Sequence, residues 1–244
     1  KEALHGLIGG VSLTSIKNFK LSFPNIESQK KIVIKLDNVF NEIDNSISDQ
    51  RKIIDNLKVI SENIMDKILK NYEYEKTTLD NVCLVQRGSS PRPIKKFITT
   101  SEKGLNWIKI GDVNEGEKYV TSTNQKITAL GAKKSRLVRK GDFILTNSMS
   151  YGRPYIMNID GYIHDGWFLL KLNDNIDKEF FYYLLSSSLV QNQFKTLAAG
   201  AVVKNISGDL VKKTIIPKIN KKIQIEIREK VSFIIQNIND VITS

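Results

Sequence analysis

Apolar positions recur in a regular order over residues 27–69. They lie three or four positions apart, except for two steps of seven of which Gln50 bridges the first, at Leu36, Phe40, Ile43, Ile47, Ile54, Leu57, Ile64 and Ile68. This 3.5-residue spacing is typical of a helix that lies against another helix. No Pro or Gly interrupts the stretch. The pattern therefore predicts one helix roughly 65 Å long.

The same spacing returns at the end of the chain, at Ile227, Val231, Ile234, Ile238 and Val241. We interpret the two stretches as partner helices with a globular domain between them. Residues 1–26 are then the tail of a preceding domain, residues 27–71 the central helix, residues 72–217 the globular domain and residues 218–244 the C-terminal helix. Because short apolar runs and helical stretches are mixed, the expected fold class is α+β.

The remaining segments are shorter. Apolar runs predict strands at residues 19–23, 107–110, 143–146, 155–159 and 162–172. A helix is expected over residues 177–197, with Asp177 or Asp174 as its cap. Prolines and glycines keep residues 87–93 and 148–154 non-helical.

A weak internal repeat precedes both long helices. Pro24 and Gln29 stand at the first helix as Pro217 and Gln224 stand at the second, although the second spacing is two residues longer. The repeat is too long for a solenoid. It favours a duplicated unit of one domain and one helix.

The charge balance points to a polyanionic partner. The chain has 37 Lys and Arg against 26 Asp and Glu, a net charge of +11. Such a surplus favours nucleic acid first and an anionic membrane second. The basic residues concentrate in residues 87–103, 133–140 and 195–222, whereas the long helix carries mixed charge. A basic surface that serves only solubility stays open as an alternative.

Familiar catalytic patterns are missing from the sequence. No acid-x-Lys tripeptide of the common restriction nucleases, no Pro-Pro turn of amino-methyltransferases and no P-loop occurs. Two histidines and one cysteine cannot form a conventional zinc site. His164 and Asp165 are adjacent, and since neighbours on a strand face opposite ways, a structural role is favoured. We expect no enzymatic activity, no cofactor and no metal.

Cellular location is constrained by three features. No run of about 18 apolar residues occurs, so no transmembrane helix is expected. The single cysteine, Cys83, cannot form an internal disulfide and fits a reducing compartment. The first residues lack Met and a signal-peptide core, which suggests a cut or processed chain. We expect a cytoplasmic protein without membrane contact.

Four stretches resemble the specificity subunit of type I restriction–modification systems. They are residues 23–32 (FPNIESQKKI), 87–91 (RGSSP), 107–112 (WIKIGD) and 141–153 (GDFILTNSMSYGR). In order and spacing they extend over almost the whole chain. The resemblance implies two target-recognition domains, each followed by a long helix, with the two helices packed antiparallel as a coiled coil. Here the first recognition domain is missing except for its last residues.

The resemblance also implies a function. The chain would be a non-enzymatic subunit that reads one half of a bipartite site in double-stranded DNA. Methyltransferase subunits, and through them nuclease subunits, would dock on the helices. Because one recognition domain is missing, three arrangements stay open: the long helices pair within the chain, between two copies of the chain as a homodimer, or both.

Candidate DNA contacts come from the chemistry of base edges. Arg pairs with guanine and Asn with adenine, whereas Lys contacts to phosphate mainly position a protein. The candidate DNA-binding residues are Arg87, Ser89, Ser90, Arg92, Lys95, Lys96, Asn147, Ser148, Ser150, Tyr151, Arg153, Lys204 and Asn205. Lys133, Lys134, Arg136, Arg139 and Lys140 are candidates for phosphate contact or for surface solubility.

A different class of function remains open. The long helix is also compatible with a structural coiled-coil scaffold whose basic domain binds an acidic protein. Unrelated duplex DNA would not displace such a partner. The recognition part of a related fused-enzyme system is a closer variant.

Overall fold

A 44-residue helix dominates the N-terminal part of the chain. The computed structural model describes residues 13–114, 116–147, 152–199 and 206–243, and divides into two units, Lys1–Asp55 and Asn56–Ser244. The short helix α1 (Leu13–Lys17) lies in the first unit, and α2 (Ile26–Leu69) begins there and continues past Asp55 into the second unit. The predicted long helix is confirmed, and its start differs by one residue.

The two long helices begin with the same local structure. At the start of α2, Asn25 Oδ1 accepts from Ser28 N at 2.9 Å, and Gln29 Nε2 donates to Pro24 O at 2.7 Å. At the start of α7 (Lys221–Thr243), Asn220 Oδ1 accepts from Ile223 N at 3.0 Å. Gln224 Nε2 donates to Ile219 O at 2.7 Å, as Gln29 does to Pro24. Asn at the N-cap satisfies an orphan backbone donor, which explains both starts.

The predicted strand at residues 19–23 is wrong. These residues form neither helix nor strand, and Phe19, Leu21 and Phe23 are exposed. Alternating apolar residues become a strand only when a neighbouring strand accepts their backbone hydrogen bonds. The described part of the chain offers residues 19–23 no such neighbour.

The described residues of the second unit form two five-stranded mixed sheets and one two-stranded antiparallel sheet. Its strands are β1 (Glu75–Thr78), β2 (Cys83–Arg87), β3 (Ile98–Thr99), β4 (Leu105–Ile108), β5 (Tyr119–Val120), β6 (Gln125–Ile127), β7 (Arg136–Val138), β8 (Phe143–Thr146), β9 (Pro154–Met157), β10 (Gly161–Ile163), β11 (Trp167–Leu172) and β12 (Ile215–Lys218). One large sheet has the order β2-β11-β8-β9-β5, the other β3-β6-β4-β10-β7, and β1 pairs with β12.

The first of these large sheets lies between two cores. Phe143 and Leu145 on β8 face a core that they share with the helices, whereas Ile144 faces a core shared with the other sheet. On β11, Phe168 faces the core shared with the helices and Trp167 faces the core shared with the other sheet. Successive side chains of a strand face opposite sides, so strands buried on both sides read as continuous apolar runs.

Helices cover the free face of that sheet. They are α4 (Lys178–Ser186), α5 (Ser188–Ala199), α6 (Gly208–Lys212), the C-terminal end of α2 and α7, while the short α3 (Ala129–Ala132) follows β6. The predicted cap is confirmed, because Asp177 Oδ1 accepts from Phe180 N at 2.9 Å. The α+β class, with a long helix and a C-terminal helix beside mixed sheets, is confirmed.

Two predicted elements are each divided in the structure. The helix predicted over residues 177–197 breaks at Ser187, whose backbone is extended and whose hydroxyl donates to Leu184 O at 2.7 Å. Ser competes for backbone groups in this way and is therefore common at helix ends. The strand predicted over residues 162–172 breaks at residues 164–166, so that β10 and β11 belong to different sheets.

Candidate nucleic-acid interface

Three strand ends meet at one edge of the β2-β11-β8 sheet. Arg87 at the end of β2 pairs with Phe168 near the start of β11, and Thr146 at the end of β8 pairs with Trp167. Because these strands are antiparallel, the segments that follow β2 and β8 leave the sheet beside the turn that precedes β11. Two of the sequence-predicted loops therefore begin at the same place.

The turn at residues 164–166 packs tightly against the loop that follows β2. A Cβ atom at Gly88 would lie 2.0 Å from His164 O, and one at Gly166 would lie 2.1 Å from His164 Cε1. Gly88 N donates to Trp167 O at 2.8 Å. Glycine is required at both positions because any larger residue would displace backbone or ring atoms.

Asp165 is the centre of the hydrogen bonds at this edge. Its carboxylate accepts from Ser90 Oγ at 2.6 Å and from Arg92 Nη2 at 3.1 Å. Its backbone carbonyl accepts from Arg87 Nε at 3.1 Å and from Asn147 Nδ2 at 2.6 Å. Four sequence-predicted DNA contacts, three from residues 87–93 and Asn147, therefore share one partner. We call this set, Arg87, Ser90, Arg92, Asn147 and Asp165, the recognition edge.

Two groups in the turn have shifted pKa values. The hydrogen bond from Ser90 lowers the pKa of Asp165 below its usual range, and the charge of Arg92 adds to the effect. Burial lowers the pKa of His164. Two backbone N–H groups also face its ring, Gly166 N at 2.7 Å from Nδ1 and Ile110 N at 3.2 Å from Nε2. A neutral ring can accept from one of these two groups, whereas protonation would oppose an N–H to both, so the geometry favours the neutral form in the same direction as burial.

A basic groove of about 420 Å³ adjoins the recognition edge. Its basic lining residues are Lys133, Lys134, Arg136, Arg139 and Lys171. Arg136 connects the groove to the edge, because its Nε donates to Arg87 O at 2.9 Å and its Nη1 to Gln86 Oε1 at 3.1 Å. Ser89 also lines the groove. Cationic side chains beside a loop rich in hydrogen-bonding groups can bind a phosphate backbone.

The predicted site residues differ in exposure. Arg87, Arg92, Lys95 and Lys96 are exposed, while Ser89, Ser90 and Arg153 are half-buried. Asn147 is buried, with 2% of its surface exposed, and its amide points into the turn. Ser148, Ser150, Tyr151, Lys204 and Asn205 lie outside the described residues.

The described residues beside those segments do meet. Asn147 precedes residues 148–151, and Ile206 follows residues 200–205. Ile206 N donates to Asn147 O at 2.8 Å. Asn147 N donates in turn to Gly166 O at 2.9 Å. Ile206, the first described residue after the third predicted group, therefore lies next to the recognition edge.

The sequence reasoning missed Asp165 as a centre of the site. The assumed strand over residues 162–172 placed Asp165 and His164 on opposite faces, whereas in the structure both lie in a turn. The dipeptide Asp165-Gly166 is a common turn signal and could have revealed the break. Lys171, on β11, was missed because a strand residue beside a groove has no local signal.

The described ranges carry neither a metal-binding cluster nor a membrane-spanning helix. They contain no group of three or more His, Cys, Asp and Glu side chains arranged to hold a metal ion. None of their helices combines the length and the apolar character needed to cross a membrane. Cys83 is buried, and burial raises the pKa of its thiol to about 12. Its thiol donates to Leu79 O at 3.3 Å, so Cys83 is a core residue.

Comparison with known families identifies the class of protein. The family model described as "Type I restriction modification DNA specificity domain" matches residues 4–58 and 71–243. These two ranges contain most of the chain. The chain belongs to this family, as the resemblance predicted.

Solved structures share the fold at low sequence identity. A chain from a structure on complex assembly and conformational transition of the type I R-M system matches with a TM-score of 0.74 and 16% identity. The HsdS subunit from Thermoanaerobacter tengcongensis matches with a TM-score of 0.61 and 16% identity, and the S subunit from M. genitalium with 0.54 and 14%. The matches cover 91%, 97% and 98% of this chain, but only 55%, 58% and 62% of those chains.

Proposed function

We propose that this chain is the DNA sequence-recognition subunit of a type I restriction–modification complex. Its second unit would read one half of a bipartite site in double-stranded DNA, in the cytoplasm. The observation that carries the proposal is the recognition edge, where Arg, Ser and Asn side chains from separate loops bond to one turn. Membership of the DNA specificity family supports the same function.

The recognition edge would contact bases, and the groove would contact phosphates. Exposed Arg87 and Arg92, with Arg153, are suited to base edges because a guanidinium can bind guanine in a bidentate way. Lys133 and Lys134 in the groove, with Lys95 and Lys96, are suited to phosphates, which fix the orientation of the protein but carry little sequence information. Buried Asn147 would support the edge rather than read a base.

Salt dependence and sequence preference test this division. We expect Lys134→Ala to weaken binding to all duplexes and to reduce the slope of log affinity against log salt by about 1. Arg92→Ala and Arg153→Ala should instead reduce the preference for one sequence over others. If both arginine variants keep the parent's preference, the reading surface lies elsewhere.

The chain would take part in a larger assembly through its helices. Methyltransferase subunits, and through them nuclease subunits, would dock on exposed faces of the helices. Residues 72–217 would form the recognition domain, with residues 27–71 and 218–244 as the two family helices and residues 1–26 as the tail of a first recognition domain. Catalysis would belong to the partners. Purified chain with S-adenosylmethionine should therefore methylate no DNA, and methylation without added subunits would refute this assignment.

A second copy of the chain is a further proposed partner. In the first unit Leu36, Phe40 and Ile43 are exposed on the predicted apolar seam. Burial of such a stripe against a second helix is the usual reason for its spacing. We expect a dimer by light scattering, and Phe40→Glu should dissociate it. A chain that stays monomeric at high concentration would contradict the homodimer.

The exposed apolar seam is also what a structural coiled-coil scaffold would have, so this second candidate function needs its own test. A coiled-coil scaffold whose basic domain binds an acidic protein would use the same groove. Addition of unrelated duplex DNA should occupy the groove and displace such a protein if the groove serves DNA. An acidic partner that remains bound in excess duplex would favour the scaffold.

A further inference from the structure

A carboxylate lies among the arginines of the recognition edge. Asp165 contacts Arg92 through its side chain and Arg87 through its backbone carbonyl. A negative charge near phosphates lowers affinity for DNA, because like charges repel. If the recognition edge binds DNA, the carboxylate of Asp165 must therefore contribute something that outweighs this loss of affinity.

Stability is a weak explanation for the ion pair. The side chain of Arg92 is 80% exposed and that of Asp165 is 41% exposed. Ion pairs at such exposure contribute little to the free energy of unfolding. The pair does limit the orientation of Arg92, because Oδ2 of Asp165 engages one Nη nitrogen at 3.1 Å and leaves the rest of the guanidinium open.

The carboxylate itself is held by its surroundings. Ser90 Oγ donates to Oδ1 at 2.6 Å, and Asp165 N lies 3.3 Å from the same hydroxyl oxygen. The backbone carbonyl of Asp165 accepts from the amide of buried Asn147 at 2.6 Å. Gly88 and Gly166 allow the two segments to approach closely. A fixed acceptor beside a flexible arginine reduces the rotamer freedom that must be lost when the arginine binds a base.

We infer that Asp165 is a positioning residue for sequence preference: it holds Arg92 and Ser90 in the orientation in which they meet base edges. This inference rests on the proposed function and deepens it. Asp165 does not contact DNA. It lowers general affinity through its charge and increases discrimination by fixing its partners. The two effects have opposite signs, which makes the inference testable.

The test is selection from a pool of duplex DNA with random central bases, using the full chain. The parent, Arg92→Ala, Asp165→Asn and the double variant are each incubated with the pool, and the bound fraction is sequenced. We expect Asp165→Asn to relax the same base positions as Arg92→Ala, by about 5-fold or more, which is the lower range for one bidentate contact. Total bound DNA should stay equal or increase. In the double variant, Asp165→Asn should add little to the loss from Arg92→Ala.

Asp160→Asn is the matched control. Asp160 lies between β9 and β10, accepts from Arg139 Nη1 at 2.8 Å and from Lys140 N at 2.8 Å, and carries the same charge. Its partner Arg139 lines the groove and is not part of the recognition edge. The control should change bound DNA as one lost negative charge does and keep the parent's sequence preference. Thermal unfolding of each variant shows whether the fold is retained.

Three outcomes would overturn the inference. Asp165→Asn could keep the parent's preference, or it could relax every position equally. It could also cause the same further loss in the Arg92→Ala background as alone, which would indicate a general structural role. A parent chain that enriches no sequence would refute the proposed function itself, and this result is distinguishable because it does not depend on the variant. Ser90→Ala is a milder second variant if Asp165→Asn fails to fold, and it should relax the same positions.

Discussion

The starts of α2 and α7 have the same cap but different surroundings. Asn25 and Gln29 make the same bonds in α2 as Asn220 and Gln224 make in α7, 195 residues later. At this offset Ile227 of α7 corresponds to Ile32 of α2. Ile227 is fully buried, whereas Ile32 is 49% exposed. Val231 and Leu36 differ in the same way.

The difference comes from what packs on each helix. On α7, Gln224 Oε1 accepts from Asp177 N at 2.7 Å, and Arg228 Nη1 binds Asp177 Oδ2 at 3.2 Å, so the start of α4 is tied to the helix. Ser232 Oγ donates to Tyr183 OH at 3.1 Å further along. The described residues of the first unit include no α4 counterpart. The same apolar spacing thus gives both helices an apolar face, and that face is buried only where other elements, such as α4, pack against it.

The largest expected effect is the difference in free energy of unfolding between Ile227→Ala and Ile32→Ala. Truncation of a fully buried Ile leaves a cavity, so Ile227→Ala should lower the free energy of unfolding by about 2–5 kcal/mol. Ile32→Ala should change it by no more than about 0.5 kcal/mol in dilute solution. Urea unfolding measures both.

Protein concentration sharpens this comparison. If a second copy covers the first face, the cost of Ile32→Ala should rise with concentration, since association stabilises the folded state by mass action. The cost of Ile227→Ala should stay constant over the same range. Equal costs for the two variants in dilute solution would refute the difference in burial.

A smaller effect is expected for the two glutamines. Gln224 is buried and bonds Asp177 N, Ile219 O and, at 3.4 Å, Asn175 O, so Gln224→Ala leaves buried groups without partners. We expect a loss of about 1–3 kcal/mol for Gln224→Ala. For Gln29→Ala, which removes a bond at a helix start near water, we expect about 1 kcal/mol or less. Thermal unfolding of the two variants should rank them in this order, and the reverse order would contradict the assignment.

The smallest effect is a pH dependence confined to the second unit. Burial lowers the pKa of His164 below its ordinary 6.5, and Asp165, Lys109 and Asp112 are its charged neighbours. The stabilisation from the neutral ring is complete above pH 6.5 and is lost as pH falls through the lower, folded-state pKa. The sequence of residues 13–55 contains no histidine. Mild acid should therefore destabilise the second unit and not residues 13–55.

Tryptophan fluorescence can follow this change, because the rings of Trp107 and Trp167 lie 6.3 and 6.4 Å from the ring of His164. Melting at about pH 7.5 and at about pH 5.5 brackets the ordinary titration of histidine. His164→Gln should remove the part of the difference that comes from this ring. A parent melting temperature that is higher in acid would contradict the sign.

The long helices were predictable because their signal is periodic and long. The period of 3.5 residues located α2 to within one residue, and the apolar runs located β8, which is buried on both faces. The strand predicted at residues 19–23 failed for a different reason. Residues 19–23 alternate as a strand does, but a strand also needs a partner, and pattern alone does not supply one.

The site was predictable in its loops but not in its centre. Arg87 and Arg92 were expected from the chemistry of base recognition, and the structure brings both onto Asp165. The role of Asp165 depends on contacts between residues more than 70 positions apart, such as Ser90 with Asp165. No local pattern reports such contacts, although Asp165-Gly166 does signal the turn that makes them.

Sequencing of methylated sites tests the central claim most directly. Cells that carry the partner methyltransferase and nuclease subunits would receive either the parent chain or its Arg92→Ala variant. The account predicts that methylation occurs at one bipartite sequence with the parent, and that the variant relaxes base positions in one half of that sequence only. An identical set of methylated sites with the parent, with the variant and without the chain would contradict it.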